Sequence, residues 1–205
     1  MNDSEAPWGV LTGDVIGSRK ADPLRWIPAL KDALEAWGQA PREWELYLGD
    51  SFTCLVPAEA ALHAATAIQA ALVAHGGVLV RIGVGLGTMT HASPRVTESQ
   101  GSACDRSGAA FDGLKRAPIK LLTGDARRDA EWSVILGFAA RVFEGWTESA
   151  AAAVEVALRH PDQSQGEWAE RLGKSQSTVS EALKRASFDE LSAMLQHFSA
   201  QIAAS

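Results

Sequence analysis

Apolar residues in the first 125 positions of the chain switch between two spacings, one typical of strands and one typical of helices. In residues 42–48 apolar and polar side chains alternate, which predicts a half-buried strand. In residues 27–37 apolar side chains recur every three or four positions, which predicts a helix. These patterns predict strands at 8–12, 42–48, 52–56, 78–85 and 119–123, and helices at 27–37, 57–75 and 105–117.

The predicted order is strand, helix, strand, strand, helix, strand, helix, strand. It favours an α+β fold: a ferredoxin-like βαββαβ sandwich, with its helices packed on one face of an antiparallel sheet. Residues 86–104 are rich in Thr, Ser and Gly and are predicted to form a long loop. Loops of this length in compact domains are often functional.

Beyond Gly124-Asp125 the chain carries only helical periodicity. Five helices are predicted, at 129–143, 147–159, 165–172, 176–186 and 189–202. We therefore expect two domains, an α+β domain over residues 1–125 and an all-α domain over residues 126–205.

Residues 163–186 have the spacing of a helix-turn-helix. This unit needs a small residue where its helices cross, a turn residue such as glycine, and an aliphatic residue on the second helix. Ala169, Gly173 and Val179 occur at the required offsets of four and ten. A plain helical hairpin and a protein-interaction module are the alternatives. The fit of all three positions at once favours a DNA-binding unit.

The outward face of the second helix predicts the DNA contacts. Hydroxyl and amide groups near its N-terminus can reach base edges, and the basic side chains can hold phosphates. The predicted DNA-binding residues are Lys174, Ser175, Gln176, Ser177, Thr178, Glu181, Lys184 and Arg185.

The overall charge is −6 and the pI is about 5.4, which is acidic for a DNA-binding protein. Because phosphate neutralisation drives DNA affinity, any DNA contact must use a local basic patch. Two cysteines are too few for a disulfide framework, and no apolar stretch approaches the roughly 20 residues that cross a bilayer. We expect a cytoplasmic protein with no membrane contact.

Two short segments predict a metal and ligand site in the α+β half. In Thr12–Arg19, Asp14 follows the end of the predicted strand and precedes a turn containing Gly17, Ser18 and Arg19, whose backbone and charge suit a phosphate. Asp50 lies at a hairpin tip that the fold places beside the first strand. Asp14 and Asp50 could therefore meet and hold Mg²⁺ or Mn²⁺ on hard oxygens. Alone, each aspartate could instead cap a turn.

A third segment, residues 105–116, carries Asp105, Asp112 and Arg116 at spacings that could present polar groups to a ligand. The alternative for Asp105 is simple N-capping of the predicted helix.

Together these segments resemble the class III nucleotidyl cyclase fold over residues 8–123. Its metal motifs are similar to the sequences around Asp14 and Asp50, and its D-x-x-G-x-x-x-N-x-x-x-R stretch aligns with Asp105, Gly108, Asp112 and Arg116. The resemblance implies a purine-selecting role for Asp105, a ribose-orienting position at Asp112 and phosphate stabilisation by Arg116. It also implies a nucleotide ligand and a homodimer.

The chain departs from the cyclase pattern at two positions. The purine-selecting Lys of that family falls on Leu46, and its Asn falls on Asp112, an anion where ribose and phosphates should lie. Both departures weaken the case for catalysis and leave metal–nucleotide binding open.

The whole chain resembles the SatD family, bacterial proteins that join such a cyclase-like domain to a C-terminal helix-turn-helix. Gly13 through Arg19 and Gly49 through Phe52 match its signatures. Three functions remain open: a ligand-responsive DNA-binding transcription regulator, a Mg²⁺-dependent nucleotidyl cyclase or related enzyme using Asp112 and Arg116, and a domain that only dimerises.

Overall fold

A computed structural model describes residues 7–114 and 118–204 of the chain. Its strands are β1 (Trp8–Val15), β2 (Trp44–Tyr47), β3 (Ser51–Pro57), β4 (Val80–Gly87) and β5 (Ile119–Leu122). Its α-helices are α1 (Pro23–Glu35), α2 (Ala61–Ala71), α3 (Ser102–Asp112), α4 (Ala126–Glu144), α5 (Glu148–Arg159), α6 (Gln165–Leu172), α7 (Gln176–Arg185) and α8 (Phe188–Ala203). Short helical turns lie at Ala58–Ala60, Leu72–Gly76 and Val96–Glu98, the second of them π-helical. The α+β class and the order of strands and helices are confirmed.

The five strands form one mixed sheet in the order β2-β3-β1-β4-β5. β1 lies at the centre and pairs antiparallel with β3 and β4, whereas β4 and β5 are parallel. The prediction of an antiparallel sheet is therefore wrong. The reason is the connection: α3 is a helical crossover, and a crossover lets the next strand run in the same direction.

The two faces of β4 differ in side-chain size. Ile82 and Val84 are buried on one face, in the core shared with α1 and α2. Gly83 and Gly85 lie on the other face, which receives α3. A Cβ at Gly85 would lie 2.2 Å from the backbone nitrogen of Ser107. The prediction that all helices pack on one face is wrong, because these glycines leave room for a helix backbone on the opposite side.

The long connection between β4 and α3 is shorter than predicted, since β4 extends to Gly87 and α3 begins at Ser102. Its middle is fastened to β2 by the buried carboxylate of Glu45. That carboxylate forms an ion pair with Arg95 and accepts a 2.6 Å hydrogen bond from the hydroxyl of Thr97.

Helices α4 to α8 pack against the α1 and α2 layer, and the buried apolar residues of both halves form one core cluster. α5 contacts α2, and α4 contacts β5. The predicted boundary at residues 125 and 126 falls where Gly124 takes a positive φ of 88° and the side chain of Asp125 caps α4. Among the described helices, none is long and apolar enough to cross a membrane.

Candidate ligand cleft and candidate nucleic-acid interface

An open cleft of about 570 Å³ lies at the end of β1, between the turn that follows it and the β2–β3 hairpin. The cleft brings together most of the residues predicted from the two Gly-Asp segments. Its lining residues are Asp14, Val15, Ile16, Gly17, Ser18, Arg19, Lys20, Asp50 and Arg81. Asp14 and Asp50 converge because Asp14 pairs with Ser51 in the β1–β3 register, one residue from the hairpin aspartate.

Asp14 is held by Arg81, its direct cross-strand partner on β4. The Arg81 Nε donates a 2.8 Å hydrogen bond to one carboxylate oxygen, and a terminal guanidinium nitrogen contacts the other. This hydrogen bond is the main reason that the pKa of Arg81 is raised above its ordinary value, and the charge of Asp50 adds to the effect. Phe111 of α3 packs on the guanidinium, with Cζ 5.4 Å from the ring centroid.

Asp50 is fixed by the turn that follows β1. The Ser18 hydroxyl donates a hydrogen bond to its carboxylate, and the Val15 amide donates to its backbone carbonyl at 3.1 Å. Gly17 permits this turn because its φ is 72°, in the left-handed region that favours glycine. The two aspartates are therefore both held by hydrogen bonds at the cleft wall.

The cleft combines two carboxylates with three basic side chains. Arg19 and Lys20 are exposed on the turn, and Arg81 lies across from them. The oxygen donors of Asp14 and Asp50 fit a hard cation such as Mg²⁺ or Mn²⁺, with the remaining ligands supplied by water or by a phosphate. The basic side chains fit the phosphate. Full use of Asp14 by a metal requires Arg81 to leave it, and Arg81 would then be free to bind the phosphate.

The third predicted segment is only partly connected to this cleft. Asp105 and Asp112 are exposed on α3, and neither is among the described residues that line the cleft. Asp112 follows Phe111, the residue that packs on Arg81, whereas Asp105 lies near the start of α3. Arg116 lies outside the described residues.

Arg81 is the cleft residue that sequence reasoning missed as a ligand-site candidate. A signal was available, since Arg81 is the single charged residue in the predicted strand 78–85. Its alternation places it on the face opposite Ile82, which is the face of Asp14. The alternation alone does not show which residue pairs with Arg81, because that depends on the β1–β4 register.

The second candidate site is the surface of α6 and α7. Each helix begins with a serine cap: Ser164 forms a capping box with Glu167, and the Ser175 hydroxyl accepts a 3.2 Å hydrogen bond from the Thr178 amide. Hydrogen bonds to Ser164 hold the pKa of Glu167 below its ordinary value. Gly173 joins the helices with a φ of 61°. Five residues of these helices are buried, Trp168, Ala169, Val179, Ala182 and Leu183, and Leu172 is half-buried.

All eight predicted DNA-binding side chains are exposed. Lys174 donates a 2.8 Å hydrogen bond to the hydroxyl of Ser149 in α5, and Arg185 forms a 3.2 Å ion pair with Glu181 one turn earlier. Lys184 is exposed beside them. The outer face of α7 thus presents hydroxyl and amide groups at its N-terminal end and two cations at its C-terminal end.

No protein-family model, curated protein or solved structure matches this chain. Its function therefore has to follow from the geometry and chemistry of the ligand cleft and of the α6–α7 surface.

Proposed function

We propose that this protein is a DNA-binding transcription regulator whose α+β half binds a nucleotide-type ligand. In this proposal residues 163–186 act as a helix-turn-helix, with α7 as the recognition helix. The observation that carries it is the division of α7 into a buried face, with Val179 and Leu183, and a fully exposed polar face. Six of the eight predicted DNA-binding residues lie on this exposed face of α7, and Lys174 and Ser175 precede the helix.

The roles of the α7 surface follow from its chemistry. Gln176 can form two hydrogen bonds with a base edge, and the hydroxyls of Ser177 and Thr178 can donate to or accept from either partner of a base pair. Lys184 and Arg185 suit phosphates. Since the whole chain is acidic, this short basic segment would carry much of the electrostatic attraction.

DNA binding is tested by selecting duplexes from a random pool with the full-length protein at low salt, and then measuring affinity against salt concentration. A Lys184→Ala/Arg185→Ala variant should bind at least about tenfold more weakly, and its log K against log salt slope should fall by about two. Lys31→Ala, an exposed lysine on α1, is the control and should change neither value. Failure to select any duplex, with or without nucleotide, would reject the proposal.

The proposed ligand of the cleft is a nucleotide phosphate together with Mg²⁺ or Mn²⁺. Asp14 and Asp50 would hold the cation, which supplies positive charge against the phosphate oxygens. Arg19, Lys20 and Arg81 would contact the phosphate directly. The exchange of Arg81 from Asp14 to the phosphate would couple metal binding to nucleotide binding, and the ligand could then bias DNA binding.

Mn²⁺ titrations followed by electron paramagnetic resonance test this exchange. Arg81→Ala should tighten the binding of Mn²⁺ alone, because it frees Asp14, and should weaken Mn²⁺ binding in the presence of a nucleoside triphosphate. Asp50→Asn should weaken both, whereas Asp162→Asn, an exposed acid in the helical half, should change neither. Equal Mn²⁺ binding by all four proteins would show that the cleft holds no cation.

The convergence of Asp14 and Asp50 also favours a second candidate, a Mg²⁺-dependent nucleotidyl cyclase or related nucleotide-converting enzyme. It is tested by product analysis after incubation with each nucleoside triphosphate and Mg²⁺ or Mn²⁺. Turnover that is lost in Asp50→Ala would support it, and absence of turnover would reject it.

The SatD assignment and the cyclase-type arrangement remain part of this proposal. The order β2-β3-β1-β4 agrees with a ferredoxin-like sheet, and the helical half carries the α6–α7 pair after it. The fifth strand and the position of α3 are additions to the simple βαββαβ unit.

A further inference from the structure

Helix α4 carries a surface that its own chain leaves uncovered. Trp132 and Leu136 face the core and are almost fully buried. Val134 and Phe138, one turn apart on the other side, are 63% and 73% exposed. Scattered single apolar residues on a surface are ordinary, but two large ones on adjacent turns of one helix form a continuous stripe.

Charged residues flank this stripe in an ordered way. Arg127 and Glu131 form an ion pair of 3.1 Å before it, and Arg141 and Glu144 form one of 2.6 Å after it. Along α4 the surface therefore runs positive, negative, apolar, positive, negative. The first four of these groups lie on one side of the helix, because spacings of three and four residues keep side chains in line. They comprise Arg127, Glu131, Val134 with Phe138, and Arg141.

We propose that α4 pairs antiparallel with α4 of a second copy of this chain, about a two-fold axis near the level of Leu136. In this register Val134 of each copy lies opposite Phe138 of the other. Glu131 lies opposite Arg141 of the second copy on both sides of the axis.

The charge order selects this direction. In a parallel pair each charged residue of α4 would face its own copy, so that Glu131 would meet Glu131 and Arg141 would meet Arg141. In the antiparallel pair Glu131 and Arg141 of each copy meet the opposite charge of the other copy.

The size of α4 sets the expected strength. Its 19 residues span about 28 Å, so one helix pair buries less than the roughly 1,200–2,000 Å² of a standard stable interface. The dimer should therefore depend on protein concentration in the micromolar range. This inference does not rest on the proposed function, although a two-fold axis would relate two α7 helices as paired DNA half-sites require.

Sedimentation equilibrium of the full-length protein at low salt, from about 1 to 300 μM, tests the interface. The wild type should shift from monomer to dimer across this range. Phe138→Ser should weaken dimerisation at least about tenfold, because it removes the largest apolar contact. Leu24→Ser is the matched control, since Leu24 is 84% exposed on α1 and should leave the equilibrium unchanged.

Charge exchange distinguishes this register from any other association. Glu131→Arg and Arg141→Glu each place like charges opposite one another twice and should weaken the dimer, whereas the Glu131→Arg/Arg141→Glu double variant should restore most of the affinity. All these positions are exposed, and circular dichroism checks that each variant folds. A wild type that stays monomeric, or a double variant no better than the single ones, would overturn the proposal.

Discussion

The ligand cleft and the α6–α7 surface are built in opposite ways. The cleft depends on pairs that are distant in sequence, since Arg81 reaches Asp14 across 67 positions and Ser18 reaches Asp50 across 32. The α6–α7 unit is fixed by hydrogen bonds that span three residues, at Ser164 and at Ser175. One site therefore exists only when the sheet is assembled, while the other is shaped by its own two helices and the core beneath them.

The difference extends to electrostatics. In the cleft, the carboxylates of Asp14 and Asp50 already have partners, so a ligand must exchange with existing bonds. On α7, the polar groups of Gln176 and Lys184 are exposed and can bind without such an exchange. Ligand binding in the cleft should thus be coupled to a local rearrangement, whereas DNA contact should use α7 in the form that it has here.

The largest effect is expected where the sheet receives α3. In Gly85→Ala the new methyl group would lie 2.2 Å from the Ser107 nitrogen and 2.3 Å from the Ala103 carbonyl oxygen, both backbone atoms. We expect the free energy of unfolding to fall by about 3 kcal/mol. Urea unfolding followed by tryptophan fluorescence measures it. Because α3 carries Phe111 beneath Arg81, this variant should also weaken ligand binding in the cleft.

Gly108→Ala is the matched control on α3 itself. Nothing lies within 4 Å of a Cβ at Gly108, and alanine favours a helix over glycine. This variant should gain about 0.5–1 kcal/mol of stability. Equal stability of the two variants would contradict the close approach of α3 to β4.

A second effect, smaller for each pH unit, concerns Cys54, a buried residue of β3. Burial, with a smaller contribution from the charge of Glu43, raises the pKa of this thiol from 9.0 to about 12. Between these values the folded chain keeps a proton that the unfolded chain releases, so rising pH favours unfolding. Stability from Cys54 should be lost above pH 9.0 at up to about 1.4 kcal/mol per pH unit.

The measurement is the free energy of unfolding of wild type and Cys54→Ala at a series of pH values. The difference between the two proteins should shrink as pH rises from 9.0 towards 12, since the variant has no thiol to titrate. A constant difference would mean that Cys54 reaches solvent in the folded state. Cys104 in α3 is only partly buried and should react with alkylating reagents first.

Sequence patterns predicted the local features of this fold closely. The bounds of α6 were predicted as 165–172 and are confirmed, because Ser164, Glu167 and Gly173 specify both ends of that helix. The order of strands and helices is also confirmed. These features are determined by residues that are close in sequence. Hydrophobic periodicity and capping residues therefore predict them.

The patterns failed where distant segments meet. Alternation identified the buried face of β4 but assigned no role to the glycines on its other face, so α3 was placed on the wrong side of the sheet. Asp14 and Asp50 were predicted to meet, since the fold alone puts their strands together. The bond between Arg81 and Asp14 was not predicted, because it depends on the register of β1 against β4.

The smallest effect is expected at the cap of α7. Ser175→Ala removes the hydroxyl that accepts from the Thr178 amide at 3.2 Å, and loss of such a cap costs about 1 kcal/mol. Ser177→Ala is the control, because the Ser177 hydroxyl contacts only that of Ser175 in the described part of the chain and should cost less than about 0.5 kcal/mol. Hydrogen exchange should report faster opening of α7 in Ser175→Ala and unchanged protection of the Val15 amide in the cleft. Equal loss of protection in α7 and at the Val15 amide would show that the two regions open as one unit. The contrast between a surface built from neighbouring residues and a cleft built from distant segments would then describe how the two sites are constructed, but not how they move.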